Sequence, residues 1–197
     1  WLAPAEGQAL RRHVLTALPA IYSLRWQQHP QFAWSQKAVL FPNFRGITYL
    51  GRVHELPWDA SGQLSYSDLT EITLCHAPRC SPLEPEKIAN YRALLLQDLQ
   101  HPDSLERFHA QRHWAQSELI LHHDQAAQLA LEQAWALWAE LPPSCQAWGA
   151  SVLDSLLFLA CEARNENAYL HWRQVYASVY PGAARLAQLP ENWDGLE

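Results

Sequence analysis

The stretch Cys145–Glu162, CQAWGASVLDSLLFLACE, is apolar around most of a helical circumference. A helix apolar on nearly all sides must be covered by neighbours. Two amphipathic segments supply them, AAQLALEQAWALWAEL before it and NENAYLHWRQVYASVY after it. The spacing therefore predicts an antiparallel helical bundle with 145–162 as its buried post. Asp124, Ser144 and Asn165 are the expected N-caps, because their side-chain oxygens can accept from the free N–H groups of a first turn. Pro142-Pro143 stops the helix before the post. Upstream, Pro85 suits the first turn of a helix to about Gln100, with Ile88, Tyr91, Leu95 and Leu99 inward. Pro102 opens another to about Leu121. The aromatic positions of the last three helices do not recur at a fixed period, which favours a bundle over a solenoid.

The N-terminal third reads differently. Leu10, Val14, Leu15 and Leu18 sit at helical spacing, Pro19 breaks the run, and Ile21, Leu24 and Trp26 resume it. Two short helices are predicted, the second ended by His29-Pro30. From residue 37 the pattern turns to strands: KAVLFPNF, RGITYLGRVHEL and LTEITLCH, with 55–68 as a loop. Gly46 opens the second strand and Gly51 suggests a bulge in it, while Pro42 confines the first to an edge or a short length. The expected fold class is α+β, mainly α. A small three-stranded antiparallel sheet lies in the N-terminal part, 1–80, and a helical bundle fills 81–197.

Composition narrows the function classes. Of 197 residues 49% are hydrophobic and 17% charged, a globular balance. The ten Trp exceed what a core of this size needs, so some are expected at an interface. The formal charge is −6 and the pI about 5.9, with no basic stripe, which argues against nucleic-acid binding. The four Cys (Cys75, Cys80, Cys145, Cys161) are too few and too irregularly spaced for a disulfide scaffold. Cys145 and Cys161 read as buried thiols, and a reducing, cytoplasmic setting is expected. Asp154 and two Ser interrupt the best candidate for a membrane helix, so none is expected. The sequence begins at Trp1 and contains no Met, so its native start is expected upstream.

Few residues suggest chemistry. His109 and His113 lie four apart on a predicted helix, where both rings could face one metal ion, and His122 or His123 could complete the site. No Glu accompanies the first His, as a zincin motif would require. Surface or helix-end histidines are the plainer reading. Cys75, His76 and Cys80 form C-H-x3-C, short of the four ligands of a structural zinc site. Asp154, with Ser151, Ser155 and Glu162, makes a polar strip on the central helix. The strip is either the solvent edge of a buried helix or the setting of a tuned carboxylate. Phosphate-cradling glycine loops and the Gly-x-Ser-x-Gly elbow are both absent from the sequence.

The remaining feature is the edge of the small sheet among aromatic residues. An open edge accepts an extended peptide as a further strand, with backbone bonds giving affinity and side-chain pockets selectivity. The residues expected to line it are Val39, Phe41, Phe44, Ile47, Tyr49, Leu50, Arg52 and His54. The alternative is an edge protected by the chain's own loop, 55–68.

In size, layout and texture the chain resembles the partner subunit of the methanobactin-modifying enzyme, on the stretches FAWSQKAVLFPNFRGITYLGRVHEL and ENAYLHWRQVYASVY. The resemblance implies a non-catalytic accessory subunit without a cofactor of its own. Its protein partner would be a metal-dependent oxidase that holds the metal, and its cargo a precursor peptide whose leader is bound by strand addition. It assigns no individual residue. The alternatives are a small metalloenzyme using His109 and His113 with His122 or His123, and a toxin-neutralising or other interaction module.

Overall fold

Proline and capping residues set the helix boundaries much as their chemistry demands. The computed structural model describes residues 4–27, 35–42, 46–75, 85–191 and 193. The elements in order are α1 Pro4–Thr16, β1 Ala20–Gln27, β2 Ser35–Leu40, β3 Ile47–Leu50, β4 Leu56–Asp59, β5 Ser65–Cys75, α2 Pro85–Asp98, α3 Ser104–Ile120, α4 Asp124–Leu137, α5 Gly149–Glu162 and α6 Glu166–Val179. The fold is α+β and mainly α. The chain forms two compact units, one of Trp1–Leu50 with His54–Lys87 and the other of Gly51–Val53 with Ile88–Glu197.

In the first unit the sheet departs from expectation. Residues 20–27 form a strand rather than a second helix, and the order of the three-stranded sheet is β2-β1-β5. β1 pairs antiparallel with β2 and parallel with β5, so the sheet is mixed. Ile21 and Leu24 are both buried. Residues three apart in a strand project to opposite faces, so a central strand covered on both sides produces a spacing that imitates a helix. The predicted second strand, β3, pairs instead with β4 in a separate two-stranded sheet, inside what was read as a loop. Gly51 does not bulge that strand. It lies beyond the strand's end, in the left-handed region at φ 76°.

The first unit's core brings Leu24, Leu69 and Ile72 together, with Ala9 and Leu10 of α1 packed against them. Glu6 of α1 accepts from the backbone N–H of Thr73 at 3.2 Å. Beyond Leu10 the helix runs off its support, leaving Val14 and Leu15 exposed, with Leu18 82% exposed just after it. No residue of α1 is buried.

In the second unit the principal helix contacts join sequence neighbours, α3 to α4, α4 to α5 and α5 to α6. Connections as short as Leu121–His123 favour such neighbour packing. Asp103 caps α3, accepting from Leu105 N at 2.7 Å, and Asn165 caps α6, accepting from Ala168 N at 3.1 Å. Ser144 caps nothing. A 3-10 segment, Pro143–Trp148, comes first, and α5 begins at Gly149 without a side-chain cap. A Cβ at Gly149 would meet Trp138 and the Tyr180 hydroxyl, so the entry to the post is fixed by close packing instead. His123, not Asp124, occupies the N-cap position of α4.

The post itself is buried through Val152, Leu153, Leu156 and Leu157. The helical run 143–162 has the length and mean hydropathy to cross a membrane, but its apolar face is occupied within the bundle. Asp154 is at the solvent edge, its side chain 39% exposed and its Oδ1 3.2 Å from Arg185 Nε. Cys145 is buried, whereas Cys161 is only half-buried, and both thiols are pushed up by desolvation.

Candidate functional site: a sheet edge beside an apolar cavity

Strand β2 lies at one edge of the three-stranded sheet. Its register to β1 runs Trp26↔Ser35, Arg25↔Gln36, Leu24↔Lys37 and Ser23↔Ala38, then jumps to Tyr22↔Leu40. Val39 is the extra residue, a bulge of the kind that twists edge strands. Its side chain packs against the Leu24, Leu69 and Ile72 core. Among the described residues the backbone groups of β2 that face away from β1 form no ladder with another strand, although β4, within 55–68, lies against β2.

A cavity of about 240 Å³ opens where β2 ends, and His13, Val14, Leu18, Tyr22, Leu40 and Phe41 are among its lining residues. The exposed tail of α1 is thus one wall of a pocket rather than an unsupported patch. The Tyr22 hydroxyl donates to Leu18 O at 2.6 Å, and the His13 ring meets Tyr22 edge-on at 4.5 Å, which fixes the floor. His13 Nε2 is shut off from water with no hydrogen-bond partner among the described residues. Phe41 continues the wall and meets Tyr49 edge-on at 6.0 Å.

The predicted edge residues separate into groups. Phe41 and Tyr49 stand together, with Tyr49 59% exposed. Ile47 pairs with Asp59, and Leu50 pairs with Leu56 and is buried in the small hairpin. Arg52 is not on the edge: its backbone N–H donates to Asp98 at 2.9 Å and its Nε lies 3.4 Å from the same carboxylate, within the second unit. His54 returns to the first unit in the left-handed region, φ 57°, where partial burial and then Lys37 hold its pKa below the ordinary value. Phe44 lies outside the described residues, as do His76 and Cys80.

The acid–base balance here escaped the reading for a basic stripe. No Asp or Glu occurs between Glu6 and Glu55, while Arg11, Arg12, Arg25, Lys37, Arg45 and Arg52 do. In an acidic chain, β1, β2 and the part of α1 beyond Glu6 carry no carboxylate, and none lines the cavity. Counting acids by segment would have found this where a search for clustered bases did not.

The exposed apolar side chains are aliphatic, Tyr or Phe; no Trp whose side chain is described reaches full exposure. The described Trp side chains are half-buried. Trp135 and Trp138 stack at 5.0 Å, and Arg92 lies over the Trp114 ring at 4.4 Å.

The four alternative metal ligands are not brought together. The His109 and His113 rings meet edge-on at 4.4 Å, and His109 Nε2 is 3.3 Å from Val53 O in the buried core of the second unit. His123 Nδ1 is 2.8 Å from the buried Glu118 carboxylate, which also binds Arg92. His122 is exposed at the far end of α3, nine residues beyond His113. Helical rise alone separates those two by about 13 Å. No group of three or more His, Cys, Asp and Glu side chains among the described residues is placed to hold a metal ion. Compared with known proteins, the chain matches no family model and no curated protein.

Proposed function

We propose that the chain is a non-catalytic accessory subunit of a peptide-modifying complex of the methanobactin-biosynthetic kind, working in the cytoplasm beside a metal-dependent oxidase. It holds the leader of a precursor peptide as an added strand on β2. The observation that carries this reading is an edge strand running into an apolar cavity, the combination that strand addition uses for affinity and selectivity. Phe41 and Tyr49 flank the path of the added strand, and Leu18 and Val14 wall the pocket. The cavity lining, free of carboxylates, favours a partner face that is acidic there, and electrostatic complementarity of that kind speeds encounter more than it tightens the complex.

The test is peptide binding and co-purification. Fluorescence anisotropy with leader peptides from neighbouring genes should show saturable binding that Leu18→Asp removes. The exposed position of Leu18 means that substitution leaves thermal unfolding unchanged. A stable monomer that binds none of those peptides and co-purifies with no neighbouring oxidase would sink the reading. Capture of a toxin instead would assign the same surface to an interaction module.

A further inference from the structure

Arg112 of α3 is a cation of the second unit without a carboxylate partner among the described residues. The other arginines of the second unit with carboxylate partners are Arg52 with Asp98, Arg92 with Glu118, Arg107 with Glu140 and Arg185 with Asp154. Arg112 makes no ion pair and no hydrogen bond among the described residues. Its guanidinium lies 5.7 Å from the Phe108 ring centroid, and desolvation lowers its pKa. Arginine keeps its proton even so, and its five N–H donors, none of them closed off from water, have no acceptor among the described residues.

The surroundings supply more donors. Arg112 and Gln116 of α3, four residues apart, line one wall of a cavity of about 70 Å³, and Ser151 and Ser155 of α5, also four apart, line the other. Ala115, Leu119, Leu131 and Val152 complete it, and no Asp or Glu lines it. Gln116 Oε1 lies 2.7 Å from His113 Nδ1, so as the acceptor there it leaves the amide N–H groups available. The Ser151 hydroxyl donates to Trp148 O at 2.8 Å and that of Ser155 to Ser151 O at 3.0 Å. Such back-bonds to the helix are weak, and a stronger acceptor can draw the hydroxyls away. The nearest acid in sequence on α5, Asp154, is engaged by Arg185, and Glu118 of α3 is engaged by Arg92 and His123.

We infer that this cavity binds a compact tetrahedral oxyanion of the phosphate or sulfate class, held by Arg112 and Gln116 from one side and by the Ser151 and Ser155 hydroxyls from the other. A tetrahedral ion accepts from opposed walls, which a planar carboxylate does less well. The volume, roughly that of two waters in the liquid, suits one such ion and is too small for a nucleotide. The site lies wholly in the second unit and is independent of peptide binding on the first.

Thermal unfolding in sodium phosphate against sodium chloride at matched ionic strength tests it, with ³¹P linewidths of inorganic phosphate as the second readout. Saturable stabilisation and line broadening are expected for the wild type. Both are lost in Arg112→Met, which without phosphate melts at or above the wild-type temperature because it removes the unpaired charge. Anions also stabilise proteins by exclusion from their surfaces, so the wild-type-minus-variant difference is what counts. If Arg112→Met does not fold, Arg112→Lys and Gln116→Leu decide, each weakening phosphate binding by about 3–10-fold through lost hydrogen bonds. A phosphate effect no larger than that of chloride, or one that survives these substitutions unchanged, overturns the inference.

Discussion

α1 and α5 are helices of nearly equal length, both written with apolar residues at helical spacing, and they end in opposite circumstances. α5 buries Val152, Leu153, Leu156 and Leu157 against its own chain. α1 buries no residue, packing Leu10 onto the sheet and leaving Val14 and Leu15 to solvent. Apolar spacing specifies a face; it does not specify what covers the face. In the second unit the cover is the next helix in sequence. In the first, the sheet ends before the helix does, and the uncovered turn becomes the wall of a cavity.

Leucine truncation is the most direct attack on that contrast. Leu156→Ala in α5 should cost about 2–5 kcal/mol of unfolding free energy, transfer and cavity terms together. Leu15→Ala in α1 should move it by no more than about 0.5 kcal/mol. Equal losses in urea denaturation would mean that α1 is covered after all. The next largest effect is expected at Gly51, whose positive φ and closeness to His109 (2.5 Å from a Cβ built there to Cδ2) leave no room for a side chain. Gly51→Ala should cost about 2–4 kcal/mol from backbone strain and overpacking together. A smaller loss, about 1–3 kcal/mol, is expected for Glu118→Gln, which takes the charge from a buried carboxylate that binds the partly exposed Arg92.

The smallest effect belongs to the first unit and depends on pH. His54 has a folded-state pKa below the ordinary ~6.5, so its neutral form is preferred and the unfolded chain takes up the proton first. Its contribution is therefore fully present above pH ~6.5 and is lost as pH falls through the folded value. His54→Gln should flatten that part of the stability profile in urea melts at pH 5–7; an unchanged slope would assign it to other groups. Asp59 adds a second, more acidic component. Its carboxylate accepts from the Ser61 hydroxyl at 2.6 Å and from Leu64 N at 2.8 Å, which lowers its pKa, so the turn after β4 loosens as the group protonates.

The helices were legible because their signals are local. Pro85 and Asn165 act within one turn of where they stand, and α2 and α6 begin accordingly. Ser144 failed as a cap because the start of α5 is set by Trp138 and Tyr180, which are remote in sequence. The sheet failed for the same reason. Nothing within 20–27 announces a parallel partner some forty-five residues on, at Ser65. Of the candidate edge, Phe41 and Tyr49, chosen for alternation and aromaticity, stand together. Val14 and Leu18, which wall the cavity, were read only as helix formers, and Arg52 was placed on a strand that Gly51 had already ended.

Those residues after Leu50 carry one more consequence. Gly51–Val53 belong to the second unit although the chain on both sides of them belongs to the first. The Gly51 N–H donates to Glu106 at 2.9 Å, the Arg52 N–H to Asp98 at 2.9 Å, and Val53 joins Leu95 and Ala110 in the core. The second unit is therefore not one continuous segment. A fragment cut at 88–197 leaves behind three residues that its helices are built to receive, and with them two hydrogen bonds and part of its core.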